Sequence, residues 1–250
     1  MITFIAPTKN MKPRTYDLPM TQPQFCAEAE CLAELIKTYN DEAIMNIMNV
    51  NAKMALQTQG RFQKLRFDLS GTPALFTYSG LVFHSMHTDT WEKEAVQFAQ
   101  AHLRIISGLY GCLRPLDSIY LYRLEMQAKG LSQRIDNLYS FWSDALMRSL
   151  RQDNDDQVYI NLASKEYSQA ITPYLNKNER MITVDFQVIK SGVRKTITTY
   201  AKTARGNMTE YIMKHRINTP EQLKCFSVDQ WQYMSEESNE TRFLFVKEIA

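Results

Sequence analysis

The spacing of apolar side chains along this chain predicts a mixture of helices and strands. Between residues 24 and 39 apolar positions recur every three to four residues, which predicts an amphipathic helix. Residues 2–6 form a short continuous apolar run before Pro7, a pattern typical of a buried strand. The same criteria predict helices at 24–39, 51–62, 90–108, 138–150 and 201–216, and strands at 2–6, 73–78, 158–163, 181–189, 196–200, 230–235 and 242–246.

Turn residues join some of these strands into hairpins. Ser191 and Gly192 separate two β-rich segments, and an acidic turn separates the last two strands. Helices and strands interleave from end to end, with no internal repeat, low-complexity tract or clear boundary. We therefore expect an α+β fold in which residues 1–250 form a single compact domain, with a mixed β-sheet flanked by helices.

Composition narrows the class of protein without identifying its function. The chain has 250 residues, of which 44% are hydrophobic and 22% charged, values typical of globular domains and unlike those of disordered or coiled-coil proteins. Its four cysteines include no Cys-x-x-Cys pair, so we expect free thiols, with no metal site and no cofactor. The first apolar run is too short for a signal peptide, and no run is long enough to span a membrane. We expect a cytoplasmic protein that does not bind membranes.

The net charge of +2 conceals a segregation of charge along the chain. Residues 101–134 carry a local charge of +3 and residues 176–216 carry +6, whereas 135–175 and 217–250 carry −3 each. Two basic blocks of this kind are what an anion-binding surface requires. The alternative is that these side chains scatter over solvated faces of the folded protein.

Polar and cationic residues directly follow three of the predicted strands. Lys9 follows the first strand, Asn161 and Ser164 lie at the end of a middle strand, and Lys202 and Arg205 lie where a later strand meets a helix. Loops beyond strand ends commonly carry ligand-binding groups, and a helix N-terminus favours an anion. These residues either form an anion-binding site or belong to exposed polar loops and a solvated first helical turn.

A Gly-x-x-Gly turn lies in the densest basic stretch of the sequence. Arg104 precedes the turn, Gly108 and Gly111 form it, and Arg114 follows it. A helix, a glycine turn and a basic segment suggest a helix-hairpin-helix element, whose amides and cations grip DNA phosphates without reading bases. An ordinary glycine-terminated helix is the alternative, because two residues separate the glycines and a proline delays any second helix.

Two further groups of residues could carry chemistry. Arg123 and Glu125 share a face if their segment is extended, where Glu125 is either a buried ion-pair partner or a candidate catalytic carboxylate. His84, His87 and Asp89 have a spacing that could ligate a metal, but no second cluster of ligands accompanies them. A surface pair of histidines is the simpler interpretation, and the sequence predicts no metal site.

Taken together, these motifs resemble the YaaA family of bacterial peroxide-stress proteins. The blocks that carry the resemblance are AHLRIISGLYGCLRPLD at 101–117, YRLEM at 122–126, LYSFW at 138–142, YINLASKEY at 159–167 and YAKTARG at 200–206. With APTKN near the start, these blocks span essentially the whole chain.

The resemblance implies a cytoplasmic α+β protein that limits peroxide damage from unincorporated iron. It also implies a positively charged cleft and a helix-hairpin-helix-like element that binds DNA, which agrees with the interpretation of the turn at Gly108–Gly111. Because such an element contacts phosphates, we expect binding of duplex DNA that is independent of sequence. The family's polar motif positions fall here on Lys9, Arg104, Arg123, Glu125, Asn161, Ser164, Lys202 and Arg205. We expect these side chains to converge on one cleft, with Arg114 as a further cation and DNA as the partner.

The chain departs from the family pattern at one block. Relatives carry Phe-x-Gly-Asp/Glu-Val-Tyr, whereas this chain has Leu81 in place of the acidic residue and Phe83 in place of the tyrosine. If that carboxylate is catalytic elsewhere, any catalytic inference is weaker here. Two hypotheses therefore stay open: a non-catalytic DNA-binding stress protein, or an enzyme that acts on a nucleotide or nucleobase, with Glu125 as its acid or base.

Overall fold

The computed structural model describes residues 1–249, which contain helices and strands in alternation. The α-helices are α1 (Cys26–Lys37), α2 (Asp41–Met48), α3 (Ala52–Gln63), α4 (Ala74–Thr77), α5 (Leu81–His84), α6 (Lys93–His102), α7 (Leu138–Trp142), α8 (Ala145–Gln152), α9 (Lys165–Ser168) and α10 (Thr198–Lys214). The strands are β1 (Ile2–Ile5), β2 (Thr72–Pro73), β3 (Leu103–Ser107), β4 (Gly111–Leu113), β5 (Ser118–Ile119), β6 (Val158–Asn161), β7 (Arg180–Lys190), β8 (Val193–Lys195), β9 (Gln232–Tyr233) and β10 (Arg242–Ile249).

Within these residues, eight strands form one mixed sheet in the order β4–β3–β1–β6–β7–β10–β9, with β8 beside β7. Strands β3, β1, β6, β7 and β10 run parallel, whereas β4, β8 and β9 are antiparallel to their neighbours. Strands β2 and β5 form a separate pair. Helices α10, α6 and α8 pack against β7, β3 and β4. The predicted α+β fold, with a mixed sheet flanked by helices, is confirmed.

Burial explains the apolar patterns of the central strands. β1 has a parallel neighbour on each edge, and all four of its residues are buried. A parallel strand covered on both faces is expected to be apolar throughout, which accounts for the unbroken run at the start of the chain. In β7 burial alternates instead, because Ile182, Val184, Phe186 and Val188 face the core while the residues between them are partly exposed.

Most of the predicted elements are present with shifted boundaries. β1, β6, α1, α3 and α10 correspond to predicted segments. Ser191 and Gly192 form the predicted turn between β7 and β8, with φ values of 51° and 77°. β9 and β10 form the predicted antiparallel pair at the C-terminal end. The single helix predicted at 138–150 is two helices, α7 and α8, because Ser143 between them has a φ of 45°.

Three predictions of secondary structure are wrong. Residues 74–77 form α4 rather than a strand, and residues 198–200, predicted as the end of a strand, form the first turn of α10. The helix predicted to reach Gly108 ends at His102, where β3 begins. All five residues of β3 are buried, so their apolar side chains continue the pattern of α6 without a break. This run is a strand because it pairs with β1, and the local sequence pattern contains no sign of that pairing.

The prediction of a helix-hairpin-helix-like element at Gly108–Gly111 is also wrong. This turn joins β3 to β4 in a β-hairpin, in which Ile106 lies opposite Cys112. The structure has a helical hairpin elsewhere in the chain. There α2 is joined to α3 through Asn49, whose φ is 49°, and through Asn51, whose side chain caps α3.

Two further features concern membrane-spanning helices and the state of the cysteines. No helix among residues 1–249 combines the length and apolar character needed to cross a membrane. The thiols of Cys26, Cys31, Cys112 and Cys225 are all free. Cys112 is buried, which raises the pKa of its thiol to about 11 and keeps it protonated at neutral pH.

Helices α5 and α10 approach each other so closely that their contact point requires glycine. A Cβ atom on Gly206 would lie 2.2 Å from the carbonyl oxygen of Val82 and 2.7 Å from the Cβ of Ser85. Glycine inside a helix lowers helix stability by about 1 kcal/mol relative to alanine. The close packing of α10 against α5 offsets this cost. The contact fixes the position of α10, and with it Lys202 and Arg205, relative to α5.

We predict that Gly206→Ala lowers the free energy of unfolding by about 1–3 kcal/mol, because the added methyl group overlaps a backbone carbonyl. Gly60→Ala is the matched control, since Gly60 also lies in a helix but has nothing within 4 Å of its Cβ position. We expect the control to gain about 0.4–1 kcal/mol. Urea unfolding measures both changes, and a Gly206→Ala protein as stable as the parent would contradict the close approach.

Candidate functional site

The carboxyl ends of β1, β3 and β6 meet at one edge of the sheet, because these strands run parallel. The loop after β1 contains Thr8 and Lys9, and the loop after β6 leads to Ser164. The hydroxyl of Thr8 donates to the carbonyl oxygen of Asn10 at 2.7 Å, and the amide of Ser79 donates to the same oxygen at 2.8 Å. These bonds tie the loop after β1 to the segment that precedes α5.

A cleft of about 440 Å³ opens at this edge between the loops, α5, α9 and α10. Four cationic side chains line it: Lys9, Arg123, Lys202 and Arg205. Glu166 is the one carboxylate of the lining among the described residues. The lining also includes Thr8, Leu81, Val82, Leu162, Ser164 and Tyr167. Its excess of positive charge favours an anionic ligand.

Glu125 lies directly behind two of these cations. Its Oε1 atom is 3.0 Å from the Nζ of Lys9 and 3.0 Å from the Nη2 of Arg123. The Glu125 side chain is only 6% exposed, whereas that of Lys9 is 56% exposed. The crevice between these residues holds about 20 Å³, which is enough for a water molecule and too small for a nucleotide. Glu125 therefore contacts the two cations and does not itself line the larger cleft.

Two guanidinium groups of the cleft have donors without acceptors among residues 1–249. The Nε atoms of Arg123 and Arg205 are buried and make no hydrogen bond. Burial lowers the pKa of Arg205, an effect that the charge of Asp185 partly offsets. Buried donors without partners are rare, because each costs about 1–3 kcal/mol. An anion bound in the cleft is the kind of acceptor that these donors lack.

Glu166, which lines the cleft, has a raised pKa. Burial raises its pKa, and the charge of Glu125 raises it further, while the amide of Gln127 and the charge of Lys9 act in the opposite direction. Burial and the neighbouring Glu166 charge raise the pKa of Tyr167 well above its ordinary value, so its hydroxyl stays protonated. A raised glutamate pKa is a property expected of a general acid or base.

Three buried hydroxyl groups form a chain behind the cleft. The hydroxyl of Tyr122 lies 2.6 Å from that of Tyr78 and 2.6 Å from that of Ser107. The Ser107 hydroxyl also accepts from the amide of Tyr110 at 2.9 Å. Burial raises the pKa of Tyr122 to about 12, so the chain is neutral at physiological pH. It connects the β3 turn, the segment of Arg123 and the segment before α5.

The structure brings five of the predicted binding residues to the lining of one cleft. These residues are Lys9, Arg123, Ser164, Lys202 and Arg205. They come from four separate segments of the chain. Parallel pairing places the loops after β1 and β6 at one edge, and the close contact with α5 holds α10 beside them. Their role in binding remains a prediction.

Arg104 and Arg114 lie outside the cleft, contrary to the prediction. Arg104 is at the start of β3, the amino end, and its buried guanidinium is 2.6 Å from the carboxylate of Asp153. Arg114 pairs with the buried Asp117 and donates to a backbone carbonyl. Both cations are therefore neutralised within the fold. The cations of the basic block at 101–134 therefore lie in different places. β3 carries the chain from the end of the sheet where Arg104 lies to the end where the cleft opens.

Gly108, Gly111 and Asn161 shape the backbone around the cleft and do not line it. A Cβ atom on Gly108 would lie 2.5 Å from the carbonyl oxygen of Leu124, so only glycine lets the β3 turn approach the segment of Glu125. Gly111 has a φ of 70° and lies against the ring of Trp142. The Asn161 side chain donates to the hydroxyl of Thr183 at 3.1 Å and accepts from the amide of Ala163 at 3.0 Å, which fixes the loop that leads to Ser164.

The histidine cluster does not assemble as a metal site. The imidazole of His84 lies 3.2 Å from the hydroxyl of Ser79, whereas that of His87 lies 3.0 Å from the carboxylate of Glu210. Among residues 1–249 no group of three or more His, Cys, Asp or Glu side chains is placed to hold a metal ion.

The two residues that depart from the family block, Leu81 and Phe83, differ in their surroundings. Leu81 is 45% exposed in the cleft, and Phe83 is buried against the ring of Tyr78.

The sequence analysis missed several residues of the cleft. Glu166 and Tyr167 lie two and three residues after Ser164, inside the block YINLASKEY, so that block contained the signal. Val82 and Thr8 carried no signal, because an aliphatic residue and a threonine have no distinctive chemistry at sequence level. Their place in the lining follows from the loop after β1 bonding to the segment before α5.

Comparison with known proteins identifies the relatives of this chain. A family model described as peroxide stress protein YaaA matches residues 1–237, which confirms the resemblance that the motifs indicated. A UPF0246 protein of Clostridioides difficile is 38% identical over 249 residues, covering 99% of this chain and 100% of that protein. A UPF0246 protein of Ligilactobacillus salivarius is 38% identical over 248 residues, covering 99% and 100%. A UPF0246 protein of Lactobacillus helveticus is 35% identical over 247 residues, covering 98% and 96%.

We predict that Arg104→Met lowers the free energy of unfolding by about 1–3 kcal/mol, because it leaves the backbone carbonyls of Gln100 and Leu103 without their donor. Pyrophosphate serves here as a small anionic probe of the cleft. We expect this variant to bind pyrophosphate as the parent does. Lys202→Met is the matched control, which we expect to weaken pyrophosphate binding while changing stability by less than about 0.5 kcal/mol. Urea unfolding and calorimetric titration measure the two effects. Equal loss of binding in both variants would place Arg104 in the site after all.

Proposed function

This chain belongs to the family of peroxide stress protein YaaA, and we propose that it acts in the peroxide stress response by binding DNA through the basic cleft. The observation that carries the proposal is the convergence of Lys9, Arg123, Lys202 and Arg205 on one cleft. The family resemblance adds a consequence, which we include in the proposal: the protein limits the damage that unincorporated iron causes under peroxide.

The balance of charge in the cleft supports a phosphate ligand. Four cations face two carboxylates, Glu125 and Glu166, and Glu125 is buried behind Lys9 and Arg123. Leu81 lines the cleft at the position where the family pattern has an acidic residue, so this chain lacks one negative charge there. Lys202 and Arg205 are three residues apart in α10, so both side chains project from one face of that helix.

The size of the cleft indicates which part of DNA it contacts. A volume of about 440 Å³ is typical of a site for a small ligand and does not admit a duplex. The cleft therefore takes a stretch of sugar and phosphate from the backbone. Contacts to phosphates position a protein on DNA without reading its sequence, which agrees with sequence-independent binding.

We predict that Lys202→Ala combined with Arg205→Ala weakens binding to duplex DNA and reduces its salt dependence. The slope of log K against log salt concentration should fall in magnitude by about 1.8, since each neutralised phosphate contributes about 0.9. Fluorescence anisotropy with a labelled duplex at several salt concentrations measures the slope.

Lys177→Ala is the control for this experiment. Lys177 is an exposed lysine just before β7, at the amino edge of the sheet and away from the cleft. We expect this control to leave the slope unchanged. An unchanged slope in the cleft variant, or a parent protein that does not bind duplex DNA, would refute the proposal.

An enzyme that acts on a nucleotide or nucleobase is a second candidate function. The specific observation in its favour is that Glu166, a carboxylate with a raised pKa, lines a cleft of small-ligand size. Glu125, the original candidate for acid or base, faces only the crevice of about 20 Å³. Within this hypothesis Glu166 takes the role of general acid or base, and Lys202 and Arg205 hold the phosphate.

We predict that nucleoside monophosphate binding strengthens as pH falls through the raised pKa of Glu166, because the neutral carboxyl no longer repels the phosphate. Glu166→Gln should bind with little dependence on pH over the same window. Calorimetric titration at several pH values measures both. Chromatography of the nucleotide then separates the two functions: turnover by the parent and none by Glu166→Gln favours the enzyme, whereas an unchanged nucleotide favours binding alone.

A further inference from the structure

We propose that the hairpin formed by β7 and β8 is a second DNA-contacting surface, which meets the phosphate backbone beyond the cleft. We call residues 188–195 the basic arm. The inference rests on the proposed DNA binding at the cleft and extends it, because it assigns a contact to a part of the protein that the cleft does not include.

Strand pairing places the basic arm on the cleft side of the sheet. β10 occupies one edge of β7 over residues 183–190. β6 pairs with β7 at 180–183, and β8 pairs with it at 188–190. A strand has only two edges, so β8 must share the edge that β6 occupies. The carboxyl end of β6 borders the cleft, and the arm lies further along the same edge.

The register of these pairs gives the separation between the arm and the end of β6, from which the chain leads to the cleft. Asn161, the last residue of β6, lies opposite Thr183, and Lys195 of the arm lies opposite Val188. Five residues of β7 separate the two positions, which corresponds to about 17 Å at about 3.3 Å per residue. The arm therefore extends well beyond the strand end that leads to Ser164.

The basic arm presents two lysines on one face. Lys195 lies opposite Val188 and Lys190 lies opposite Val193, and residues opposite each other or two apart in a strand share a face. Both lysines are exposed, and neither forms an ion pair among residues 1–249. Within the described part of the chain, no carboxylate neutralises these two lysines, so their charge is available to a ligand.

The same face of the sheet carries the start of α10. Lys247 of β10 also lies opposite Val188, and the ring of Tyr200 in α10 covers its ammonium group at 5.0 Å. Asp229 neutralises Lys247 at 2.6 Å, so Lys247 is not counted with the arm. The arm lysines thus share a face with the helix end that carries Lys202 and Arg205.

An ion pair on the opposite face anchors the arm. The guanidinium of Arg194 donates through both terminal nitrogens to the carboxylate of Glu237. This contact raises the pKa of Arg194 and lowers the pKa of Glu237. Ser191 and Gly192 form a tight turn with positive φ values, as two-residue hairpins require. An anchored hairpin loses little conformational freedom when its lysines meet a ligand.

The distance from the end of β6 to Lys195 fits an extended polyanion. Phosphates of one DNA strand recur about every 3.4 Å along the helix axis, so a separation of about 17 Å corresponds to about five nucleotides. A mononucleotide is shorter than this distance, so it cannot contact both the end of β6 and Lys195. The geometry therefore assigns the arm to the backbone of DNA rather than to a small anion.

The test compares Lys190→Ala and Lys195→Ala with the matched control Lys177→Ala, all in the intact chain. We expect each arm variant to reduce the salt slope of binding to a duplex of about 20 base pairs by about 0.9, and the control to leave it unchanged. A 5′-phosphorylated dinucleotide, which reaches only the cleft, should bind both arm variants as it binds the parent. All three lysines are exposed, so thermal unfolding should show variants as stable as the parent.

The outcomes separate this inference from the proposed function. A parent protein that does not bind duplex DNA overturns both. Duplex binding that weakens in Lys202→Ala with Arg205→Ala, but keeps its salt slope in both arm variants, overturns the arm alone. Equal weakening of dinucleotide and duplex binding in the arm variants also overturns it, because the lysines would then act only through the field in the cleft.

Discussion

The buried carboxylate of Glu125 lies between Lys9 and Arg123, and the architecture of the cleft depends on it. Lys9 comes from the loop after β1, and Arg123 comes from a segment more than a hundred residues later. Lys9 and Arg123 both carry positive charge, so the two side chains repel each other. Glu125 lies 3.0 Å from both cations, and its negative charge turns this repulsion into attraction. One carboxylate serves two cations, so positive charge remains for an anionic ligand.

The parallel order of β3, β1 and β6 determines where that charge faces. Their carboxyl ends carry the turn at Gly108, the loop of Lys9 and the loop that Asn161 shapes, all at one edge. Close approaches complete the wall: Gly108 admits the backbone of Leu124, and Gly206 admits that of Val82. The cleft is therefore built on strand ends and on a helix contact that leave no space for added atoms. Such a site meets its ligand with little loss of conformational freedom.

The parts of the fold that the sequence predicted correctly have local causes. The amphipathic face of α1, the apolar run of β1 and the Ser191–Gly192 turn each follow from neighbouring residues alone. Segments whose structure depends on distant pairing were mispredicted. β3 continues the apolar pattern of α6, and only its pairing with β1 makes it a strand. The helix-hairpin-helix prediction failed for the same reason, since both arms of that turn are strands.

At the site, the amino-acid sequence alone indicates which side chains carry charge and which blocks identify the family. It indicated Lys9, Arg123, Lys202 and Arg205, because cations after strand ends are a local pattern. The folded chain was needed to show that these four residues share a cleft, whereas Asp153 neutralises Arg104 at the far end of β3. The physical reason is that charge is a property of each residue, whereas availability of that charge depends on partners that chain folding brings from distant positions.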